Sequence, residues 1–490
     1  MKTLVVFFAC EVVFWSAAAL LWGPDIDPVY LPILAWICIA VFFVHLVVLA
    51  LTAGVGIVSM PFLYLASLSL YLLGPYILYL ELGPVGLVYF RAIDYGYLTG
   101  CLPLIMIAVA AFSWGVLTCS RRTGFNRTKL PANRRRVEVT TTLLALCLIG
   151  LSFLIIALDT ARGAGLKPML SGNYHDYSDA RTGGSQSRLF IASMTWFLPI
   201  AALTCNAMIK SRVRRLGWSD FLFLGLMSIL LVAGDRGTLL ACFAGWLIIH
   251  QAICRNVTPV KLLIVACAVM VFVPLMEVMR GLAAADWSLS LMLETARNLS
   301  GTKEKFADST LLTSLGPFSP SLMTLMGTRM RVADGEMLRL GSDYLGNILA
   351  AVPFNSGAAP NNSNQIHQYL IPSRKGGPGF MAISEMYLNF HVFGIAAGHA
   401  ILGRILTRMH YNIWTPNIST HAIAFSAVFF FTLMIWVRNE FSFVAQICFL
   451  WAMFFWIFPH ACQHMLPWKN RTANQTAPRS QLYGAPLSDT

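Results

Sequence analysis

Residues 31–53 read LPILAWICIAVFFVHLVVLALTA, a run in which His45 and Thr52 are the polar side chains. A helix crosses the ~30 Å hydrocarbon layer of a bilayer with ~20 residues at ~1.5 Å each. The run is therefore long enough to span and too apolar to face water. Comparable runs extend outward from it at 3–22, 57–80, 98–118, 141–159 and 190–209, then at 218–233, 238–254, 259–275, 380–402, 418–437 and 441–459. Together they predict twelve transmembrane helices in an all-α, polytopic integral membrane protein. The transmembrane domain covers 1–465, and residues 466–490 form a polar, disordered cytoplasmic tail.

Composition supports the same reading. Hydrophobic residues make up 57% of the 490 and charged residues 12%, half the ~25% of a soluble domain. The net charge of +13 falls between the apolar runs, where the sorting of cations to the cytoplasmic side accounts for it, so nucleic-acid binding is not expected. The eleven cysteines show no paired metal-ligand spacing. Most, such as Cys38, Cys147, Cys242 and Cys448, lie in or beside apolar runs and read as small core residues. Lys2 and Ala17–Ala18–Ala19 bracket the first run as in a signal peptide, but its length suits a spanning helix better.

With the N-terminus in the cytoplasm, the inward short loops carry fifteen Lys and Arg against seven in the outward ones. The inward set includes Arg134–Arg136, Lys210 and Arg404. This bias places both termini inside, and it puts the long segment 276–378 on the outer, periplasmic face, too long for a simple connector. Within that segment Leu289, Met292, Leu293, Ala296 and Leu299 repeat at helical spacing, as either an interfacial helix or a packed surface helix.

Several outward-facing residues have the chemistry of a site. Gly234-Asp235-Arg236-Gly237 joins two apolar runs with almost no loop, which holds a charged pair at the membrane boundary. Arg236 either snorkels and pairs with Asp235 or binds a phosphate or sugar. Arg438-Asn439-Glu440 repeats that arrangement. The segment Ile371-Pro-Ser-Arg374-Lys375-Gly-Gly-Pro-Gly379 runs into a helix bearing Glu385, Tyr387 and Asn389; glycines allow close backbone approach and a helix start favours anions. Glu385 has no basic neighbour in sequence, so it either meets Arg236 or Arg438 from another helix or is protonated. Arg280 sits at the root of the long outer segment, and Glu11 is expected to pair within the bundle. Guanidinium groups bind phosphate oxygens bidentately and stay charged, so neither a metal nor another cofactor is required. A sugar transfer also uses a general base, for which His367 in the outer segment is a candidate, with Glu385 or Asp235 as substitutes.

The Gly-x-Arg turn, the glycine-rich end of the long outer segment, and Glu385-Met-Tyr-Leu-Asn389-Phe-His-Val-Phe-Gly394 together resemble the Wzy-type O-antigen and capsule polymerases, which join oligosaccharide repeat units. The resemblance is one of hydropathy over most of the chain, and of motif near 230–240 and 350–445. It implies a glycosyltransferase of the bacterial inner membrane that moves a growing glycan from undecaprenyl diphosphate onto a new lipid-linked repeat unit at the periplasmic face. The product would be lipopolysaccharide O-antigen, capsule or exopolysaccharide. The resemblance places Arg236, Glu385, Asn389 and Arg438 on family positions; combined with the reading of the residues above, Arg236, Glu385, Arg438 and His367 are expected to serve catalysis and Asp235, Arg280, Arg374, Lys375, Tyr387, Asn389 and Glu440 to bind substrate. Expected partners are the lipid-linked donor and acceptor, membrane lipid, and a flippase and chain-length regulator of the same pathway. His391 departs from the family's frequent Phe-Gly. An O-antigen ligase, and a lipid-linked oligosaccharide flippase or other transporter, are the competing readings; the single lopsided outer segment argues against the transporter.

Overall fold

The structure, a computed structural model, describes residues 2–52, 59–83, 93–119, 134–162, 188–213, 217–232, 236–254, 319–351, 362–371, 379–414 and 418–465. The first half supplies α1 (Lys2–Leu21), α2 (Leu31–Thr52), α3 (Met60–Leu72), α4 (Gly74–Leu82), α5 (Tyr95–Cys119) and α6 (Arg134–Ala161). Next come α7, running from Arg188–Ala192 through a π-helical turn Ser193–Phe197 into Leu198–Val213, then α8 (Trp218–Val232) and α9 (Arg236–Cys254). After these follow α10 (Ser319–Ala333), α11 (Ser342–Ala351), α12 (Asn362–Leu370), α13 (Ala382–Ile413), α14 (Thr420–Trp436) and α15, which begins at Phe441–Trp451, passes a π-helical turn Ala452–Ile457 and ends at Phe458–Met465.

Among the described residues eight helices are long and apolar enough to cross a membrane, or nine if the bent pair α3 and α4 is one span. This is a multi-pass membrane protein. Eleven of the twelve expected runs fall on described helices, with differences. The run 57–80 bends by 43° at its middle, where Pro75 follows Gly74 and cannot continue the hydrogen-bond ladder. α8 and α14 fall short of a full span, with 15 and 17 residues, and 259–275 lies outside the described residues, as does the expected helix at 289–299. Lys210, expected in an inward loop, is instead wholly buried in α7, where Nζ meets Asp220 Oδ1 at 2.5 Å while Trp246 donates to the same carboxylate. A buried ammonium needs such a partner.

α5 forms the axis, buried along nearly its whole length and packed against α1, α2, α10 and α13. Close approach depends on small residues: a Cβ on Gly115 would strike the Ala400 carbonyl and one on Gly403 the Phe112 carbonyl. α1, α2 and α6 turn large apolar side chains outward, among them Phe14, Phe43 and Leu154, a surface suited to lipid. Glu11 pairs within the bundle as expected, 3.0 Å from His45 Nε2, and His45 Nδ1 lies 2.8 Å from Ser113 Oγ. None of the nine described cysteines is in a disulfide; Cys38 and Cys242 are core residues, whereas Cys147 is exposed on α6.

Candidate functional site

Part of the segment read as one long outer loop is helical and packed into the bundle: α10 against α3, α5 and α13, and α11 against α15. The reason lies in α13. At Phe390 and His391 its backbone leaves the helical region, and His391 adopts φ +57°. An unbroken helix would hold residues 386 and 398 about 18 Å apart at ~1.5 Å per residue. Here the Met386 side chain fills the space where Gly398 lacks a Cβ, and the Met386 carbonyl does the same at Gly394. The segment 382–389 therefore folds back against the start of 392–413. The break deprives the Leu388 and Asn389 carbonyls of their helical donors, and Arg339 N at 3.1 Å and Leu340 N at 3.0 Å replace them. The expected helix at 380–402 is thus longer and broken, and the break recruits the 336–347 stretch to its side.

A polar network follows from that docking. Asn389 Nδ2 donates to the Glu385 carbonyl at 2.9 Å and approaches Asp343 Oδ2 at 3.4 Å, while its Oδ1 accepts from Gly341 N at 3.0 Å. Arg339 binds Asp343 Oδ1 at 2.9 Å and Asn362 Oδ1 at 2.6 Å with one nitrogen, and Glu336 and Gln365 with another. Asn362 closes the ring by donating to Asp343 Oδ2 at 3.1 Å. These distances describe a fork-shaped guanidinium used on several acceptors at once.

Glu385 is fully buried and both its oxygens are engaged. Oε2 accepts from Trp436 Nε1 at 2.9 Å and from Phe441 N at 2.9 Å, and Oε1 accepts from Asn347 Nδ2 at 3.2 Å. Its partners are thus neutral donors from three other elements, where an arginine was the expected alternative to protonation. The carboxylate pins the two ends of the turn that carries Arg438 and Glu440. Arg438 is half-buried, and its backbone packs on Gly379, whose φ of +97° and missing Cβ leave room for the Arg438 carbonyl. Glu440 Oε1 accepts from Ser363 N at 2.9 Å; burial, reinforced by nearby Asp343, raises its carboxyl to about 7 despite its backbone donors and Arg339.

The remaining expected residues divide. Tyr387 is buried with its ring 4.6 Å from that of His391. His367, expected in a loop, is buried on α12, so it stands inside a packed helix. Arg236 opens α9, but its side chain lies outside the described residues, together with Asp235, Arg280, Arg374 and Lys375. Arg339, Asp343, Asn347, Asn362 and Trp436 were not singled out in the sequence. The i, i+4 repeat of Arg339, Asp343 and Asn347 was the available signal, obscured by reading 276–378 as a loop. Among the described residues no group of three His, Cys, Asp or Glu side chains is placed to hold a metal ion.

Beside the network opens an apolar cavity of about 820 Å³ between α11, α13, α14 and α15. Trp436 and Phe441 line it and also donate to Glu385, so the cavity and the polar network share a wall. Residues 338–461 match the family model described as O-antigen polysaccharide polymerase Wzy. The matched quarter of the chain contains nearly all of the polar network, the cavity and the broken helix. It agrees with the resemblance seen in the Glu385–Gly394 motif. No curated protein and no solved structure matches the chain.

Proposed function

We propose that this protein polymerises lipid-linked oligosaccharide repeat units, and that the network around Glu385 frames its glycosyl-transfer site. The observation that carries the reading is coincidence: the Wzy-matched residues 338–461 are those in which the fold buries a dense polar network beside a lipid-sized apolar cavity. Spanning helices in such number, with cations biased to one side, suit an inner-membrane enzyme with both termini cytoplasmic, its site on the periplasmic face and twelve spans in all.

In this reading the donor is a glycan on undecaprenyl diphosphate. The acceptor hydroxyl oxygen bonds to the anomeric carbon, the anomeric C–O bond breaks, and its electron pair leaves with the diphosphate. Glu440, half-buried and with its carboxyl pushed up by burial to about 7, takes the acceptor proton, a role a base serves best when its pKa lies near working pH. Arg438, with Arg236, Arg280, Arg374 and Lys375, steadies the diphosphate charge. Glu385 acts as a positioning residue, since its oxygens are occupied and it holds the Trp436–Phe441 turn. Tyr387 and Asn389 shape the broken helix, His367 packs behind it, and the 820 Å³ cavity receives the proximal lipid chain.

Deleting the gene and running surface polysaccharide on a gel tests this. The expected result is loss of the ladder with a single repeat still attached to its acceptor, restored by wild type and not by Arg438→Ala or Arg236→Ala. An intact ladder in the deletion strain would reject the polymerase reading.

A further inference from the structure

We propose that Arg329 on α10 is a phosphate-binding residue on the flank of the 382–389 segment away from the Trp436 turn. It heads the largest wholly buried side chains, with 1% of its surface exposed. One guanidinium nitrogen, Nη2, donates to the Gly23 carbonyl. Nε and Nη1, which carry three of the five N–H donors of the group, have no acceptor among the described residues. Among the described residues Arg329 forms no ion pair.

Among the described residues no side chain hydrogen-bonds to it. Gly100 leaves the space the group occupies, since a Cβ there would come within 2.9 Å of Cζ. Tyr76, Cys101, Tyr97, Tyr387 and His391 lie near enough to feel its charge. Asp25, Asp94 and Asp334 bear on the same Tyr97, yet among the described residues none of them hydrogen-bonds to Arg329 or pairs with it. Tyr97 and His391 are only partly buried, so this cluster reaches the surface. Arginine cannot shed its proton to escape burial as lysine can, and a lone guanidinium in a membrane protein interior is costly to keep. Tethering the Gly23 carbonyl needs one neutral donor. The unused donors of a permanent cation call for a ligand with several anionic oxygens, which a phosphate or diphosphate ester provides.

Two sources share that chemistry, the diphosphate of a lipid-linked glycan and the headgroup of an anionic phospholipid. The first follows from the polymerase reading, on which the choice of source rests; the phosphate site itself does not depend on it. Arg329 lies outside the matched residues 338–461, so the family match does not assign it.

The test uses the purified full chain in phosphatidylcholine nanodiscs, following the melting temperature as undecaprenyl diphosphate is added. Wild type is expected to gain stability with added ligand. Arg329→Met is expected to melt at or above the unliganded wild type, because an unpaired buried charge has gone, and to bind at least tenfold more weakly. A lowered melting temperature with undiminished binding would reduce Arg329 to a structural tether and overturn the proposal. Should Arg329→Met fail to fold, Arg329→Lys decides: binding weakened by about tenfold supports a fork-shaped contact, and unchanged binding overturns it. In nanodiscs containing phosphatidylglycerol, a response equal to that with undecaprenyl diphosphate would overturn the substrate as the source. Because binding is read without polymer, Arg329-dependent binding beside an intact ladder in the deletion strain would reject the polymerase reading and leave the phosphate site standing.

Discussion

Replacing Glu385 separates its role as an acceptor from any role as a charge. Glu385→Ala strips the acceptor from Trp436 Nε1, Phe441 N and Asn347 Nδ2 at once, and a buried donor left without a partner costs roughly 1–3 kcal/mol. Some relaxation and water entry reduce the total, so a loss of about 3–5 kcal/mol is expected. Glu385→Gln keeps one oxygen where Oε2 serves Trp436 and Phe441. Its new amide then faces Asn347, whose Oδ1 has no partner, and a flip of the Asn347 amide makes the pair compatible. The expected cost is about 1 kcal/mol, one imperfect hydrogen bond. Thermal melting of the purified protein measures both variants, and complementation of the deletion strain reads polymer length. A positioning role predicts a ladder with Gln and none with Ala. A Gln variant as unstable as Ala, or an Ala variant within about 1 kcal/mol of wild type, would refute the acceptor argument.

Glu440 binds its proton more tightly folded than unfolded, since burial raises it from 4.5 to about 7. Its contribution to stability is therefore full below pH 4.5 and is lost, up to about 3 kcal/mol, as pH rises to 7; melting from pH 4.5 to 8 should show that loss as the difference between wild type and Glu440→Gln. Polymerisation, needing the ionised base, should rise through pH 7 in wild type. Gly379→Ala forces a Cβ against the Arg438 carbonyl at φ +97°, and a loss of about 2–4 kcal/mol with shortened polymer is expected; a ladder and melting curve like wild type would contradict the packing. His391 at φ +57° carries strain of about 1–3 kcal/mol. His391→Gly should stay within about 1 kcal/mol of wild type, lost ring contact offsetting relieved strain, while His391→Val should melt clearly lower.

The break at His391 shows how sequence and structure divide the information. The glycine the family often carries at this place suits a positive φ, so the His391 departure was visible as an anomaly; that the chain reverses there was not, because 380–402 is apolar on both sides of the break. Glu385, Asn389, Arg438 and Glu440 were legible as charged or polar groups at membrane boundaries, where their cost demands a reason. Arg339 and Asp343 were less so, lying in a polar stretch where charge costs nothing and signals little. Arg329 left no mark in sequence at all. Arginine in a helix such as α10 is ordinary until the fold places it against the Gly23 carbonyl, 306 residues away in sequence, and closes the bundle over it.

By itself, then, the sequence determined an all-helical membrane protein, because the free energy of entering lipid is a local sum over about twenty neighbouring side chains. It also determined a polymerase-like motif at 385–394, because that motif is contiguous. Only the tertiary structure decided which polar groups meet. Glu385 with Trp436, Asn389 with Gly341 and Asp343, and Arg329 with the Gly23 carbonyl are pairings set by how helices pack and where α13 breaks, and no property of the separate segments encodes them.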